Sequence, residues 1–207
     1  MTMVFRATSE QKEEKERVRV ALLGAALHLA AAHGFASLGL REVSREAGIA
    51  PTSFYRHFAD MEELGTALIR ELVGAVRRAL STRMLAASRA EVVTVLVDDA
   101  IAAAVREPEL MRFIVAERTG ASRGFRALLR GELTALAHAL HQACTGEASD
   151  AASAPPLAAD AAVRLLFDTC SRVLDEPAAK HRGLRDASIW ALRTLLEADS
   201  RLGGRDG

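Results

Sequence analysis

Residues 34–58 read GFASLGLREVSREAGIAPTSFYRHF and hold the sharpest structural signal in the chain. Residues 40–47 predict one short helix, a second begins at Pro51, and Gly48 lies between them. Proline suits the first turn of a helix because its missing N–H has no intrahelical partner there. Glycine adopts the left-handed conformation that a tight turn needs. Two short helices joined by such a turn predict a helix-turn-helix.

The second helix of this motif presents a polar surface. Thr52 and Ser53 fall on its first turn, where short hydroxyl side chains reach base edges and the helix N-terminus attracts phosphate. Phe54 and Phe58, four residues apart, are expected to face the core and to hold the helix in place. The residues expected to contact DNA are hydrogen-bond donors of a size suited to bases and phosphates: Arg41, Thr52, Ser53, Tyr55, Arg56 and His57.

The composition indicates an all-α chain without a general affinity for nucleic acid. Half of the 207 residues are apolar and only 4% are aromatic, and Ala and Leu dominate the apolar set, which favours helices over strands. Lys plus Arg and Asp plus Glu both number 27, so any nucleic-acid site has to be a local patch. Four basic residues near the start of the first helix either reach DNA or belong to a solvated face shared with glutamates: Lys12, Lys15, Arg17 and Arg19.

Apolar residues at helical spacing predict further helices through the rest of the chain. A mobile arm is expected at residues 1–12, and a mobile loop at 145–157, where small and polar residues cannot bury area. Helices are expected at about 13–33, 61–85, 89–106, 108–118, 123–144, 158–175 and 184–199, before a frayed tail at 200–207. The expected architecture is a three-helix helix-turn-helix DNA-binding domain with its arm at residues 1–60, and a helical effector-binding and dimerisation domain at 61–207.

Other classes of protein find little support in the sequence. The chain shows no targeting signal and no apolar run long enough to span a bilayer, so we expect a cytoplasmic protein with no membrane partner. Cys144 and Cys170 lack metal-ligand spacing and are expected to be reduced thiols. His138 and His141 lie three residues apart, but no Glu-x-x-His motif accompanies them. Because nucleophile and nucleotide-binding motifs are also missing, no catalytic residue, cofactor or metal is predicted.

The helix-turn-helix segment resembles that of the TetR family of one-component transcriptional regulators. The resemblance rests on Gly-Phe at 34–35, Glu-Val-Ser at 42–44, Ala-Gly-Ile at 47–49 and Phe-Tyr-Arg-His-Phe at 54–58. It covers about residues 15–65, and the helix count and chain length suit the same family over the remainder. It implies a homodimer that binds a palindromic operator, usually as a repressor.

The resemblance also implies roles for single residues. Thr52 and Ser53 are expected to reach base edges, Arg41 a guanine or a phosphate, and Tyr55 and His57 the DNA backbone. Many members of the family carry a lysine at the start of the fourth helix as a phosphate contact. Here the acidic stretch 60–63 occupies that position.

A narrower resemblance is to the FabR and DesT repressors of unsaturated fatty acid synthesis. It rests on residues 40–43, 46–58, 63–65 and 117–126, and it implies a long-chain acyl-CoA effector and target genes of fatty acid or lipid metabolism. Arginines suit CoA phosphates, although they also occur as ordinary surface residues, and each apolar candidate also suits an ordinary core position. The expected ligand-binding residues are Phe113, Arg118, Arg123, Phe125, Arg126, Leu129, Leu166 and Phe167.

Assembly and function each leave alternatives. The apolar faces of 163–174 and 189–196 either close the core of a monomer or pair across a two-fold axis as a four-helix bundle. A dimer alone spaces two recognition helices for major grooves about 34 Å apart. The alternatives to an acyl-CoA-responsive regulator are a TetR-type repressor of efflux or catabolic genes with another small hydrophobic effector, and a structural helical dimer without specific DNA binding.

Overall fold

The computed structural model describes residues 2–147 and 153–203, with the backbone alone at 2–11 and 199–203. The described residues form helices and no β-strand, which confirms the all-α prediction. A 3-10 turn, Phe35–Ser37, precedes α2, and a π-helical turn, Ile69–Val73, joins α4 to α5. The helices are α1 (Thr2–His33), α2 (Leu40–Glu46), α3 (Pro51–Phe54), α4 (Met61–Leu68), α5 (Gly74–Ala86), α6 (Val92–Arg106), α7 (Pro108–Thr119), α8 (Arg123–Thr145), α9 (Leu157–Asp175) and α10 (Ala178–Gly203).

Both ends of the described chain are more helical than the sequence suggested. The expected mobile arm is wrong from residue 2 onward, because α1 begins at Thr2 and no proline or glycine interrupts the sequence before Gly24. The last helix starts at Ala178 instead of about 184 and continues to Gly203, into the expected frayed tail. Part of the expected loop at 145–157 (residues 148–152) and the last four residues of the tail lie outside the described residues.

The predicted helix at 61–85 is divided by the π-helical turn. Before the turn, Leu64 and Leu68 belong to one apolar core, and after it Leu80 and Met84 belong to another. A regular α-helix keeps one apolar stripe in a fixed direction, whereas an inserted π turn shifts that stripe. The turn therefore lies where the helix changes its packing partner.

The first core joins the N-terminal helices to the middle of the chain. Phe35 packs edge-on against Phe113 of α7 and Phe125 of α8, with ring centroids 6.2 and 5.1 Å apart. Glu117 of α7 is 96% buried, and its carboxylate accepts a hydrogen bond from the Phe35 backbone N–H at 3.3 Å. This core contains residues on both sides of the predicted domain boundary between residues 60 and 61. Any movement of α7 or α8 therefore shifts the packing of the DNA-binding helices that come before this boundary.

A second contact between α1 and α7 is charged and exposed. His28 Nδ1 lies 2.7 Å from a Glu109 carboxylate oxygen. The hydrogen bond and the charge of Glu109 raise the pKa of His28 above its ordinary value of 6.5. Protonated His28 therefore holds the start of α7 against α1 more firmly than the neutral form does.

The stability added by His28 should fall as the pH rises. A histidine whose pKa is higher in the folded than in the unfolded state adds stability that is complete below the unfolded pKa and is lost as the pH rises through the folded pKa. We expect His28→Gln to lower the urea midpoint slightly at about pH 5.5 and to leave it unchanged at about pH 8.5, since exposed pairs contribute little. His33→Gln, at an exposed position of the same helix, is the control. A His28→Gln effect that is equal at both pH values would contradict the charged contact.

Candidate DNA-binding surface and ligand cavity

Helices α2 and α3 form the predicted helix-turn-helix. Gly48 has φ +70°, the left-handed conformation expected of the turn. The Ile49 N–H donates to the Ser44 carbonyl at 2.9 Å and closes the end of α2. Val43 is fully buried between the helices, and Ala47 and Ile49 pack at the edge of the same core. The packing of these apolar side chains thus fixes the position of α3 at the protein surface.

The second helix of the motif is shorter than expected. It ends at Phe54, and Tyr55, Arg56 and His57 lie in the turn that follows. The N–H groups of Arg56 and His57 donate to carbonyls three residues earlier, at 3.1 and 2.9 Å. This is 3-10 geometry, which commonly tightens the last turn of a helix. The three residues therefore continue the path of α3 without belonging to it.

The six predicted DNA-contacting residues are all at least partly accessible. Arg41, Thr52, Tyr55 and Arg56 are exposed, with Tyr55 at 65%, and Ser53 and His57 are half-buried. Their support is apolar, because Phe54 is 0% and Phe58 1% exposed. A polar surface on a rigid aromatic base is what direct contact with DNA requires. Whether these six residues bind DNA stays a prediction.

His57 lies in a locally positive environment. Burial, together with the nearby charges of Lys15, Arg19 and Arg56, lowers its pKa below 6.5. Its buried Nδ1 has no hydrogen-bond partner among the described residues. At neutral pH the imidazole is therefore uncharged, and the cations around it make the surrounding surface attractive to phosphate.

The basic residues of α1 have different roles. Arg19 forms an ion pair with Glu71 and lies over the Phe58 ring at 4.8 Å, so it braces the core of the motif. Arg17 pairs with Glu14 on the exposed side of α1. Lys15 is exposed, and its charge reaches His57. Of the alternatives for this region, a position near the DNA surface suits Lys15 better than Arg17 or Arg19.

The acidic stretch at the start of α4 caps that helix. The Asp60 carboxylate accepts a hydrogen bond from the Glu63 N–H at 2.8 Å, and the Glu63 carboxylate accepts one from the Ala59 N–H at 2.5 Å. The first bond satisfies an N–H group that the first turn of a helix leaves free, and the second ties Glu63 to the residue before the N-cap. Acidic side chains here thus stabilise α4 where many family members have a lysine.

An apolar cavity of about 90 Å³ lies among helices α5 to α9. Three of the expected ligand-binding residues line it: Leu129, Leu166 and Phe167. Phe113 and Phe125 do not, since they belong to the aromatic contact with Phe35. The wall is otherwise mostly aliphatic, and helical periodicity could mark those residues only as core. One feature that sequence reasoning missed is an ion pair in the wall, between Arg77 and Glu132 at 2.5 Å.

A cleft of about 190 Å³ with four arginines lies beside this cavity. We call it the arginine cleft, and its lining residues are Arg118, Thr119, Arg126, Arg130, Leu133, Thr134, Asp160 and Arg164. Arg126 donates to the carbonyls of Gly120 and Ala121, and Arg164 pairs with Asp160 at 2.7 Å. Two expected ligand-binding arginines, Arg118 and Arg126, are therefore brought together, whereas Arg123 is exposed outside the cleft. Arg130 and Arg164 had no signal in the sequence that tied them to this site.

Residues 22–68 match the family model described as bacterial regulatory proteins, tetR family. The matched segment runs from the middle of α1 through α4 and contains the whole helix-turn-helix. These residues therefore form a TetR-type DNA-binding segment. Members of this family bind operator DNA and dimerise, and they are generally not enzymes.

Solved structures of TetR-type regulators share the fold of this chain. The fatty acid degradation regulator FadR from Bacillus halodurans is 17% identical, with a TM-score of 0.66 over 83% of this chain and 94% of that one. FadR from Bacillus subtilis, solved in complex with stearoyl-CoA, is 16% identical, with a TM-score of 0.69 over 84% and 96%. AmtR from Mycobacterium smegmatis is 24% identical, with a TM-score of 0.52 over 88% and 92%. At these identities the similarity establishes the fold.

The chain has two free thiols, Cys144 and Cys170. Burial raises the pKa of the Cys170 thiol to about 12 and raises that of Cys144 as well, and both cysteines are free. Thiols with raised pKa values are poor nucleophiles. Across 12–147 and 153–198, no three His, Cys, Asp or Glu side chains converge as a metal ion would need. None of the described helices is both long and apolar enough to cross a membrane.

Proposed function

We propose that the chain is a homodimeric repressor with its DNA-binding domain at residues 1–60 and its effector-binding and dimerisation domain at 61–207. DNA recognition rests on one observation: Thr52, Tyr55 and Arg56 are exposed on a segment anchored by the buried rings of Phe54 and Phe58. Ser53, Arg41 and His57 complete the proposed surface. We assign base contacts to the hydroxyl side chains on α3 and phosphate contacts to Tyr55, Arg56 and His57.

For the dimer we propose an interface on the outer side of α9 and α10. Val163, Leu166 and Leu192 are buried within one chain, so the apolar faces noted in the sequence largely close its own core. Trp190 of α10 is different, since 71% of it is exposed. An exposed tryptophan is typical of an interface centre. A dimer formed there supports the two-fold symmetry that a palindromic operator requires.

For the effector we propose a long-chain acyl-CoA, and hence target genes of fatty acid or lipid metabolism. The supporting observation is an apolar cavity with an arginine cleft beside it, which suits a ligand that is apolar at one end and phosphorylated at the other. A cavity of about 90 Å³ is smaller than the ~150 Å³ that accommodates benzene. A long acyl chain therefore has to displace the wall, and α7, which lines the cavity, also packs on the N-terminal core. Coupling of this kind typically changes DNA affinity by ~5–150-fold.

One observation favours a different effector. The cavity wall contains two carboxylates, Glu107 and Glu132, and a single cation, Arg77. Arg77 is already paired with Glu132, and Glu107 has only a long ion pair, 3.9 Å, with the exposed Arg106, so Glu107 is suited to a ligand with a hydrogen-bond donor or a positive charge. A compact hydrophobic cation, as expected of a regulator of efflux or catabolic genes, is therefore the second candidate.

Selection of operators from a random duplex library, followed by fluorescence anisotropy at one fixed salt concentration, tests the proposal. We expect a palindromic operator and an affinity that changes when saturated or unsaturated long-chain acyl-CoA is added. A selected operator whose binding is indifferent to acyl-CoA would overturn the fatty acid assignment and leave the DNA-binding role. Failure to enrich any sequence would favour a structural helical dimer.

Tyr55→Phe should weaken operator binding by about tenfold and leave the fold intact. The substitution removes one hydroxyl donor to phosphate, and a hydrogen bond to a charged group contributes roughly 1.5–3 kcal/mol. Tyr55 is mostly exposed, so the thermal midpoint should not change. The measurement is the operator Kd by anisotropy, and an unaltered Kd would remove Tyr55 from the proposed contacts.

A further inference from the structure

The arginine cleft and the apolar cavity share a wall. Leu133 lines both spaces. Arg118, which lines the cleft, places its guanidinium 4.2 Å from the centre of the Phe167 ring, and Phe167 lines the cavity. Leu133 and the Arg118–Phe167 stack therefore lie between the charged cleft and the apolar cavity.

The charges in the cleft are poorly balanced. Four guanidinium groups face one carboxylate, Asp160, which pairs with Arg164. Arg126 is hydrogen-bonded only to neutral carbonyls, and Arg118 lies on an aromatic face. Arg130 has no hydrogen bond or ion pair within the described part of the chain and is exposed. Three arginines, Arg118, Arg126 and Arg130, thus line the cleft without an acidic partner, an arrangement that an anionic ligand would relieve.

The presence of four arginines in the cleft indicates that the bound anion is a phosphate. Arginine binds phosphate through two parallel N–H donors, so a single carboxylate would satisfy one side chain, whereas two neighbouring phosphates satisfy several. We propose that the arginine cleft binds the phosphate groups of an organic diphosphate whose apolar chain enters the adjoining cavity. This inference rests on the proposed acyl-CoA effector and adds where its phosphorylated end binds.

The same geometry makes the bound phosphate open the cavity. A phosphate in the cleft competes with the Phe167 ring for the Arg118 guanidinium. Once Arg118 turns toward the phosphate, the Phe167 ring loses its stacking partner and is free to leave the mouth of the cavity. An acyl chain attached to the phosphates should then bind more tightly than the same chain as a free fatty acid.

Isothermal titration of the full-length protein with stearoyl-CoA, stearate and CoA tests the site. Arg130→Ala removes an exposed side chain that forms no hydrogen bond or ion pair within the described part of the chain, so folding should be unaffected. We expect it to weaken binding of stearoyl-CoA and CoA by about tenfold, the effect of losing one charge-assisted hydrogen bond, and to leave stearate binding unchanged. Arg123→Ala is the matched control, because Arg123 is an exposed arginine of the same helix outside the cleft. Arg130→Lys, which retains the charge but not the paired donors, should fall between Arg130→Ala and the wild type.

The three ligands separate failure of the cleft from failure of the effector. Equal effects of Arg130→Ala and Arg123→Ala, wild-type affinity for stearate equal to that for stearoyl-CoA, or no measurable binding of CoA would each overturn the phosphate site. None of these results would exclude an apolar effector. Conversely, CoA binding that is lost in Arg130→Ala, combined with operator affinity that ignores stearoyl-CoA, would support the phosphate site and overturn acyl-CoA as the regulatory signal.

Discussion

Gly65→Ala is expected to destabilise the protein by about 1–3 kcal/mol, the usual cost of forcing additional volume into a packed core. A Cβ at Gly65 would lie 2.1 Å from the Phe125 Cζ and 2.8 Å from the Phe35 Cζ. Neither ring has room to move aside, because both are buried and packed edge-on against each other. The added methyl group must therefore separate α4 from α8.

Gly131→Ala provides the matched control in urea unfolding. Gly131 lies within α8, is exposed, and an added Cβ there meets no atom within 4 Å. The same chemical change should stabilise the protein at this position by up to ~1 kcal/mol, because alanine favours the helix interior over glycine. Gly65→Ala with a urea midpoint at or above that of the wild type would contradict the close packing of α4 on Phe125.

Gly65→Ala should also alter DNA binding in the protein that remains folded. Phe125 and Phe35 connect the effector-binding helices to the segment preceding the helix-turn-helix. Moving this contact changes how α2 and α3 are held relative to α8, and so changes the spacing of the two recognition segments in a dimer. Operator affinity under conditions where the variant is fully folded measures this effect separately from stability.

Arg56→Glu should have the largest effect on operator binding, a loss of about a hundredfold or more. Arg56 is exposed and has no ion pair among the described residues, so folding should tolerate the change. On the proposed surface, however, a carboxylate would face phosphate, and juxtaposed like charges cost several kcal/mol. The salt dependence of binding should also become shallower by about one unit of slope for the lost phosphate contact.

The control for Arg56→Glu is Arg112→Glu, an equal change in net charge at an exposed position of α7. It should leave both the Kd and its salt slope close to wild type. If the two variants lose affinity equally, the effect comes from net charge alone and Arg56 is not part of the DNA-binding surface. Thermal midpoints of both variants should match that of the wild type.

The helix-turn-helix was predictable because its signals are local. Gly48 at the turn, Pro51 at a helix start, and phenylalanines four residues apart each specify their own conformation or burial within one or two turns of chain. The structure has Gly48 with positive φ and both phenylalanines buried. The family model matches this same segment. Its local sequence was therefore enough to indicate both the motif and the family.

Where local signals were weak, the predicted boundaries were less accurate. The first twelve residues lack the apolar periodicity that identifies a packed helix, yet nothing in their backbone chemistry stops α1 from starting at Thr2. The π-helical turn at Ile69–Val73 had no signal either, because the helical spacing of the apolar residues around it is compatible with a continuous helix. The position of this turn depends on the fact that α4 packs in the first core and α5 in the second.

Composition and local motifs were sufficient to predict the all-α class, the helix-turn-helix and its buried aromatic base. Three other features came only from the packing of the helices: Phe125 packs on Gly65 and Phe35 away from the cavity, Arg77 pairs with Glu132 in the cavity wall, and Arg130 and Arg164 join Arg118 in one cleft. Helical periodicity shows that a side chain faces inward, but it carries no information about the helix opposite. The partners of these residues lie 12 to 90 positions away in the sequence. The contacts follow from how whole helices pack, which is a property of the assembled chain.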